Sequence, residues 1–178
     1  MKKIKVLDKE FEITLSSETI QKRIGELAVE LSRDYEGRKP VFLGILNGSF
    51  MFASDLFKLI SIDAQITFLK LASYQGTVTT GSVKQLIGLN QDIIGQEIVI
   101  IEDIVDTGIT LENIMRQLSG YQPKSIKIVT LLYKPDSYQK DINVDYIGFS
   151  IPNEFIVGYG LDYNGFGRNY EDIYTLIK

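Results

Sequence analysis

At 178 residues the chain has the length of one domain, and its 44% apolar residues are enough to fill a core. Its 19 basic and 23 acidic residues give a net charge of −4, which argues against a broadly basic nucleic-acid surface and leaves only local basic spots open. Cysteine and histidine are both missing, which excludes disulfides, thiolate nucleophiles, Cys- or His-built metal sites and imidazole-based triads, so proton transfer near neutral pH falls to Asp, Glu, Lys or Tyr. No apolar run approaches the roughly 18 residues of a membrane span. The basic start, Met1-Lys2-Lys3-Ile4-Lys5, meets Asp8, Glu10 and Glu12 where a signal peptide has its apolar stretch. The expectation is a soluble cytoplasmic protein that contacts neither membrane nor nucleic acid.

Residues 3–15 predict one or two short strands, with a hairpin through Asp8-Lys9 as one arrangement. Ser16 or Ser17 caps a helix whose Ile20, Ile24, Leu27, Ala28, Leu31 and Tyr35 form one stripe, with Gly37 ending it. Val41–Leu46 is a continuous apolar run, as in a parallel strand covered on both faces. Asn47-Gly48 signals a turn, and Ser49 opens a second helix to about Ile60. Gln65–Leu71 is a further strand. Residues 72–84 hold two glycines and many hydroxyls, with Val78 and Val83 as their only β-branched aliphatics, and read as a mobile loop or the tip of a long hairpin. Glu97–Ile101 is the most apolar strand, followed by a helix from about Ile109 to Leu118, then Gly120 and Pro123. Ser125–Tyr133 and Asp145–Ser150 are strands, and the aromatic last thirty residues end in a strand near Ile173–Ile177. Strands alternating with helices predict an α/β fold, a mainly parallel open sheet flanked by helices and forming a single domain over 1–178. In such sheets ligands gather beyond the carboxyl ends of the strands.

One segment there calls for a chemical explanation: Glu102-Asp103-Ile104-Val105-Asp106-Thr107-Gly108-Ile109-Thr110-Leu111. Thr107–Thr110 is a turn opening a helix, where backbone N–H groups and two hydroxyls converge as in a phosphate cradle. Yet between Gln85 and Met115 there are six acids and no Lys or Arg, the wrong sign for a plain triphosphate site, and Gly108 lacks the Lys that follows the last Gly of a Walker loop. Both features fit a phosphate joined to a sugar diol, with carboxylates accepting from the sugar hydroxyls or holding hydrated Mg²⁺. Asp106 then falls between sugar and phosphate, near the reactive carbon. A solvated, acid-rich turn with Asp106 as a mere helix cap is the blander alternative.

Ile100–Leu111 resembles the 5-phosphoribosyl diphosphate (PRPP) signature of the type I phosphoribosyltransferases. The similarity covers most of the chain and is closest to the hypoxanthine(-guanine) phosphoribosyltransferases. Leu46–Phe52 resembles their diphosphate loop and Leu71–Tyr74 the start of their lid, while Leu132–Pro135 and Asp145–Asn164 resemble their purine site. The resemblance implies that fold, with a small hood built from the N- and C-terminal segments, a purine-binding stretch over about 150–178 and a mobile lid over about 72–84. It implies purine salvage: hypoxanthine or guanine plus PRPP give IMP or GMP and diphosphate, with Mg²⁺, in a homo-oligomer (dimer or tetramer).

Carried residue by residue, the resemblance makes Asp106 the general base that takes the purine N7 proton as N9 attacks. Glu102 and Asp103 bind the ribose hydroxyls and Mg²⁺, and Thr107, Gly108, Ile109 and Thr110 hold the 5′-phosphate, Ile109 through its backbone. Lys134 donates to the purine 6-oxo group, Phe155 stacks on the base and the Ile156 backbone contacts the purine edge. Asn47, Gly48 and Arg168 bind diphosphate, Asp162 holds a second Mg²⁺, and Ser73 and Tyr74 belong to the lid. Taken alone, Phe155 reads as core, Asp162 as an exposed turn residue and Arg168 as a surface cation, while Lys134, ending an apolar strand, reads equally as a side chain reaching a ligand at the sheet edge or as a surface lysine before Pro135. Asn47 stands where many members carry Lys, and Ile109 where some do. The alternative function is a nucleotide-responsive RNA-binding regulator on the same fold, like the pyrimidine attenuation proteins; a kinase lacks any supporting loop.

Overall fold

The computed structural model describes residues 2–72, 84–87 and 93–177. The chain opens with a hairpin, β1 (Lys3–Val6) and β2 (Lys9–Leu15), paired from Val6 opposite Lys9. That register leaves Leu7-Asp8 as the two-residue turn, one position earlier than the expected Asp8-Lys9. Helix α1 (Ser17–Asp34) buries the predicted stripe, and the Ser16 hydroxyl caps it by accepting the Thr19 N–H at 3.2 Å. It stops at Asp34, where the Tyr35 N–H closes the last turn, so Gly37 serves the following turn and does not end the helix.

The remaining elements are β3 (Val41–Leu46), α2 (Phe50–Leu59), β4 (Gln65–Ala72), β5 (Lys84–Ile87), β6 (Glu97–Val105), α3 (Ile109–Ser119), β7 (Ser125–Tyr133), β8 (Tyr146–Ser150), β9 (Ile156–Val157) and β10 (Ile173–Leu176). Among the described residues six strands form the main sheet in the order β5-β4-β3-β6-β7-β8. Five run parallel, and β5 pairs antiparallel with β4. The expected lid residues between those two strands, Ser73 and Tyr74 included, lie outside the described residues. On one face α1 and α2 pack over Phe42, Val99, Ile101 and Leu131; on the other α3 packs over Val41, Leu43, Ile98 and Ile100. Burial on both faces is why these strands read as unbroken apolar runs. The second sheet, β1-β2-β10-β9, is antiparallel and joins the N- and C-terminal segments around Phe11, Val157 and Tyr174, as the implied hood requires.

Strand β6 is longer than its apolar run. Its ladder with β7 continues through Glu102 opposite Thr130 to Val105 opposite Tyr133, so Glu102 and Asp103 sit on the strand and not in the turn after it.

Candidate active site

β3, β6 and β7 are neighbours in the sheet. The loops leaving their carboxyl ends therefore meet, and these are the loops of Asn47-Gly48, Asp106–Gly108 and Lys134.

In the first loop the Leu46–Asn47 peptide is cis. Ser49 holds the N-cap position of α2, but its hydroxyl donates to the Ile45 carbonyl at 2.6 Å and makes no cap bond. The first turn of α2 has no acidic residue. Its N–H groups thus have neither side-chain cap nor carboxylate, which favours an incoming anion. A Cβ on Gly48 would run into the Asp103 carboxylate, so only glycine lets this loop lie against β6.

Glu102 is 5% exposed. Burial first, then the neighbouring Asp103 charge, holds its pKa well above the usual range. Burial also pushes Asp103 up to about 6, although the Ile104 N–H (2.8 Å) and the Arg168 charge pull the other way. Two carboxyl groups whose charge is poorly compensated, presenting only oxygen, fit a hard divalent cation. Among the described residues no group of three or more ligating side chains converges.

The Asp106–Gly108 turn leads into α3. Gly108 stands at the N-cap with φ 84°, and a Cβ there would lie 2.6 Å from the Tyr138 ring and 2.8 Å from Lys140 Cγ. Gly108 has no side chain to cap the helix, and the Ile109 N–H makes only a long contact to the Thr107 hydroxyl (3.5 Å), which leaves the first turn able to take a phosphate. Ile109 is 55% exposed; its amide, and not its apolar side chain, is what it offers.

Lys134 does not lie on the surface. It is buried, and its Nζ donates to Asp106 Oδ2 at 3.0 Å. The ladder explains the meeting: Val105 pairs with Tyr133, and the Lys134 N–H donates to the Val105 carbonyl at 3.0 Å, so the next residue on each strand lies alongside.

From the hood, Phe155 is not core but 45% exposed, its ring edge-on to Tyr163 (5.7 Å) and tilted to Phe11 (6.2 Å). Ile156 is buried in β9, opposite Thr175. Asp162 accepts the Gly165 N–H (2.6 Å) and pairs with Arg168 (2.5 Å), which also donates to the Gly160 carbonyl (2.6 Å). The charges of Asp162 and Arg168 both act on Asp103. The structure thus brings Gly48 to Asp103, Asp162 and Arg168 into range of Asp103, and Lys134 to Asp106. Sequence reading missed Tyr138 and Lys140, which wall the turn at Gly108; no local signal marks residues that far along the chain. A groove of about 600 Å³ on the outer face of α1, beside Lys22, Gly25 and Val29, holds none of these groups.

Residues 14–164 match the phosphoribosyl transferase domain family. The chain is 45% identical over 166 residues to a hypoxanthine-guanine phosphoribosyltransferase of Staphylococcus aureus (strain Mu50), covering 93% of each. It is 42% identical over 158 residues to the bifunctional protein TilS/HprT of Listeria monocytogenes serotype 4b, covering 88% of this chain and 24% of that protein. The chain therefore spans about a quarter of that longer relative. Among solved structures, a hypoxanthine-guanine phosphoribosyltransferase of Bacillus anthracis superposes with a TM-score of 0.87 at 40% identity, over 93% of this chain and 98% of that one.

Proposed function

This chain belongs to the phosphoribosyl transferase family, and on that premise we propose that it is a purine-salvage enzyme which transfers the 5-phosphoribosyl group of PRPP to hypoxanthine, and to guanine, releasing diphosphate. The observation that carries this reading is the 3.0 Å pair of Lys134 Nζ and Asp106 Oδ2. A 6-oxopurine presents an acceptor, O6, beside N7; adenine presents a donor, its 6-amino group, in the same place. An ammonium next to a carboxylate matches O6 beside an N7 proton, and turns a donor against a donor for adenine. The matched relatives bear the names of transferases, which leaves the RNA-binding alternative without support.

In the reaction, purine N9 attacks C1′ of PRPP, and the bond from C1′ to the diphosphate oxygen breaks with its electron pair leaving on diphosphate. The N7 proton passes to the Asp106 carboxylate, which acts as general base. An acidic azole proton needs a base of only modest strength, and a chain without histidine meets that need with an aspartate. Asp103 and Glu102 accept the ribose hydroxyls, and the amides of Gly108–Thr110 with the Thr107 hydroxyl hold the 5′-phosphate. The first-turn amides of α2 beyond Asn47-Gly48, with Arg168, hold the diphosphate. Glu102 and Asp103 on one side and Asp162 on the other would hold Mg²⁺, which when bound neutralises diphosphate oxygens. The open face of Phe155 stacks on the base, and the Ile156 backbone lies at its edge.

No helix among the described residues is long and apolar enough to cross a membrane; we further propose a cytoplasmic homo-oligomer. The test is incubation with PRPP, Mg²⁺ and each purine in turn. Hypoxanthine and guanine should give IMP and GMP and adenine little AMP. No nucleotide from any oxopurine would overturn the reading.

A further inference from the structure

Tyr159 is the least expected side chain in the hood. It is 2% exposed although it carries a hydroxyl, and its φ of 48° lies in the left-handed region that a bulky residue rarely adopts. Such a conformation persists only where the surroundings over-determine it. Here the hydroxyl donates to Asp55 Oδ2 on α2 at 2.5 Å. Gln21 of α1 donates to the same oxygen (2.7 Å) and to the Tyr159 hydroxyl (3.3 Å), and Lys58 holds the other carboxylate oxygen (2.7 Å). The loop around Tyr159 is fixed as firmly. Its N–H donates to the Tyr170 carbonyl (2.8 Å), and the next N–H, of Gly160, to the Arg168 carbonyl (3.0 Å). Gly160 lies so close to the Gly48 carbonyl that a Cβ would collide with it.

These contacts join two halves of the site. Asp55 sits on the helix whose first turn follows Asn47-Gly48, and Tyr159 sits in the loop that leads to Asp162 and Arg168. We propose that Tyr159, acting through Asp55, is a positioning residue for PRPP: the bond locks the hood loop to α2 and so sets the span between Arg168 with Asp162 and the Asn47-Gly48 loop across which diphosphate is held. The inference rests on the reading of those residues as the diphosphate site. The purine-side pair, Lys134 and Asp106, directly follows β7 and β6 and does not depend on the latch.

Tyr159→Phe and Asp55→Ala remove the same bond from opposite ends, while Asp55→Asn keeps an acceptor oxygen for the tyrosine. Steady-state kinetics with each substrate varied, and calorimetric titration of diphosphate with Mg²⁺, read the effect. Both disrupting variants should raise KM for PRPP and Kd for diphosphate about tenfold, equal to about 1.4 kcal/mol. KM for hypoxanthine should hold, Asp55→Asn should stay near wild type, and the double variant should be no worse than either single one. A role in stability alone would lower the melting temperature and leave these ratios unchanged, which overturns the proposal, as does an equal rise in both KM values. A wild-type protein that forms no nucleotide from PRPP would instead strike down the reading beneath it.

Discussion

Replacing Lys134 by alanine separates recognition of the base from recognition of the sugar phosphate. The lysine side chain is only 8% exposed and its ammonium lies 3.0 Å from Asp106, so it is already directed to the edge of the base site. In the proposed complex it donates to purine O6. A hydrogen bond involving a charged group contributes about 1.5–3 kcal/mol, and about 1.4 kcal/mol is a factor of ten, so KM for hypoxanthine and guanine should rise about 10- to 150-fold. PRPP is held by other loops, and its affinity should stay within about twofold, the scatter expected of independent sites. Adenine meets a donor in the wild type and none in the variant, so preference for oxopurines should narrow by about tenfold or more. The assay is steady-state kinetics with each purine and PRPP varied in turn, with PRPP titrated separately by calorimetry. Equal losses for PRPP and hypoxanthine, or an unchanged hypoxanthine KM, would refute the assignment.

Asp106→Asn should cut turnover about 10²-fold or more while PRPP binding persists; single-turnover rates check this, and an unchanged rate removes Asp106 as the base. Gly48→Ala drives a methyl group into the Asp103 carboxylate and should lower kcat/KM for PRPP by about 10²-fold, with the circular dichroism spectrum unaltered. For Asp103, burial raises the folded pKa to about 6, above the roughly 3.9 of an unfolded chain. The folded state then holds more protons between those values, so the penalty of the buried charge is full above about pH 6 and fades as pH falls toward 4. Asp103→Asn should therefore melt higher than wild type at pH 7.5, and the gap should shrink at pH 5; a gap that widens on acidification contradicts the sign.

The order of strands and helices was legible because each buried strand of the main sheet is an apolar run and α1 carries its stripe on one face. The acid-rich segment pointed to the proposed sugar-phosphate site from charge and turn chemistry, with a solvated helix-cap turn as the alternative. The roles proposed for Lys134, Phe155, Asp162 and Arg168 rest on family resemblance; alone, Phe155 reads as core, Asp162 and Arg168 as surface residues, and Lys134 equally as a strand-end side chain reaching a ligand or a surface cation. What their neighbourhoods look like is a matter of tertiary geometry. Lys134 meets Asp106 across 28 positions of sequence, and Tyr159 meets Asp55 across 104, pairings that no local pattern encodes. The extension of β6 past its apolar run was hidden because the ladder to β7, and not hydropathy, keeps Glu102 and Asp103 extended. Ser49 has the residue type of a cap, yet an available carbonyl four residues back takes its hydroxyl.

The most direct test is a crystal structure of the protein with IMP. The monophosphate should rest on the amides of Gly108–Thr110 and the ribose hydroxyls on Glu102 and Asp103. The base should lie beside Phe155, with O6 on Lys134 and N7 on Asp106. A nucleotide bound elsewhere, or bound here with its phosphate away from that turn, would contradict the account.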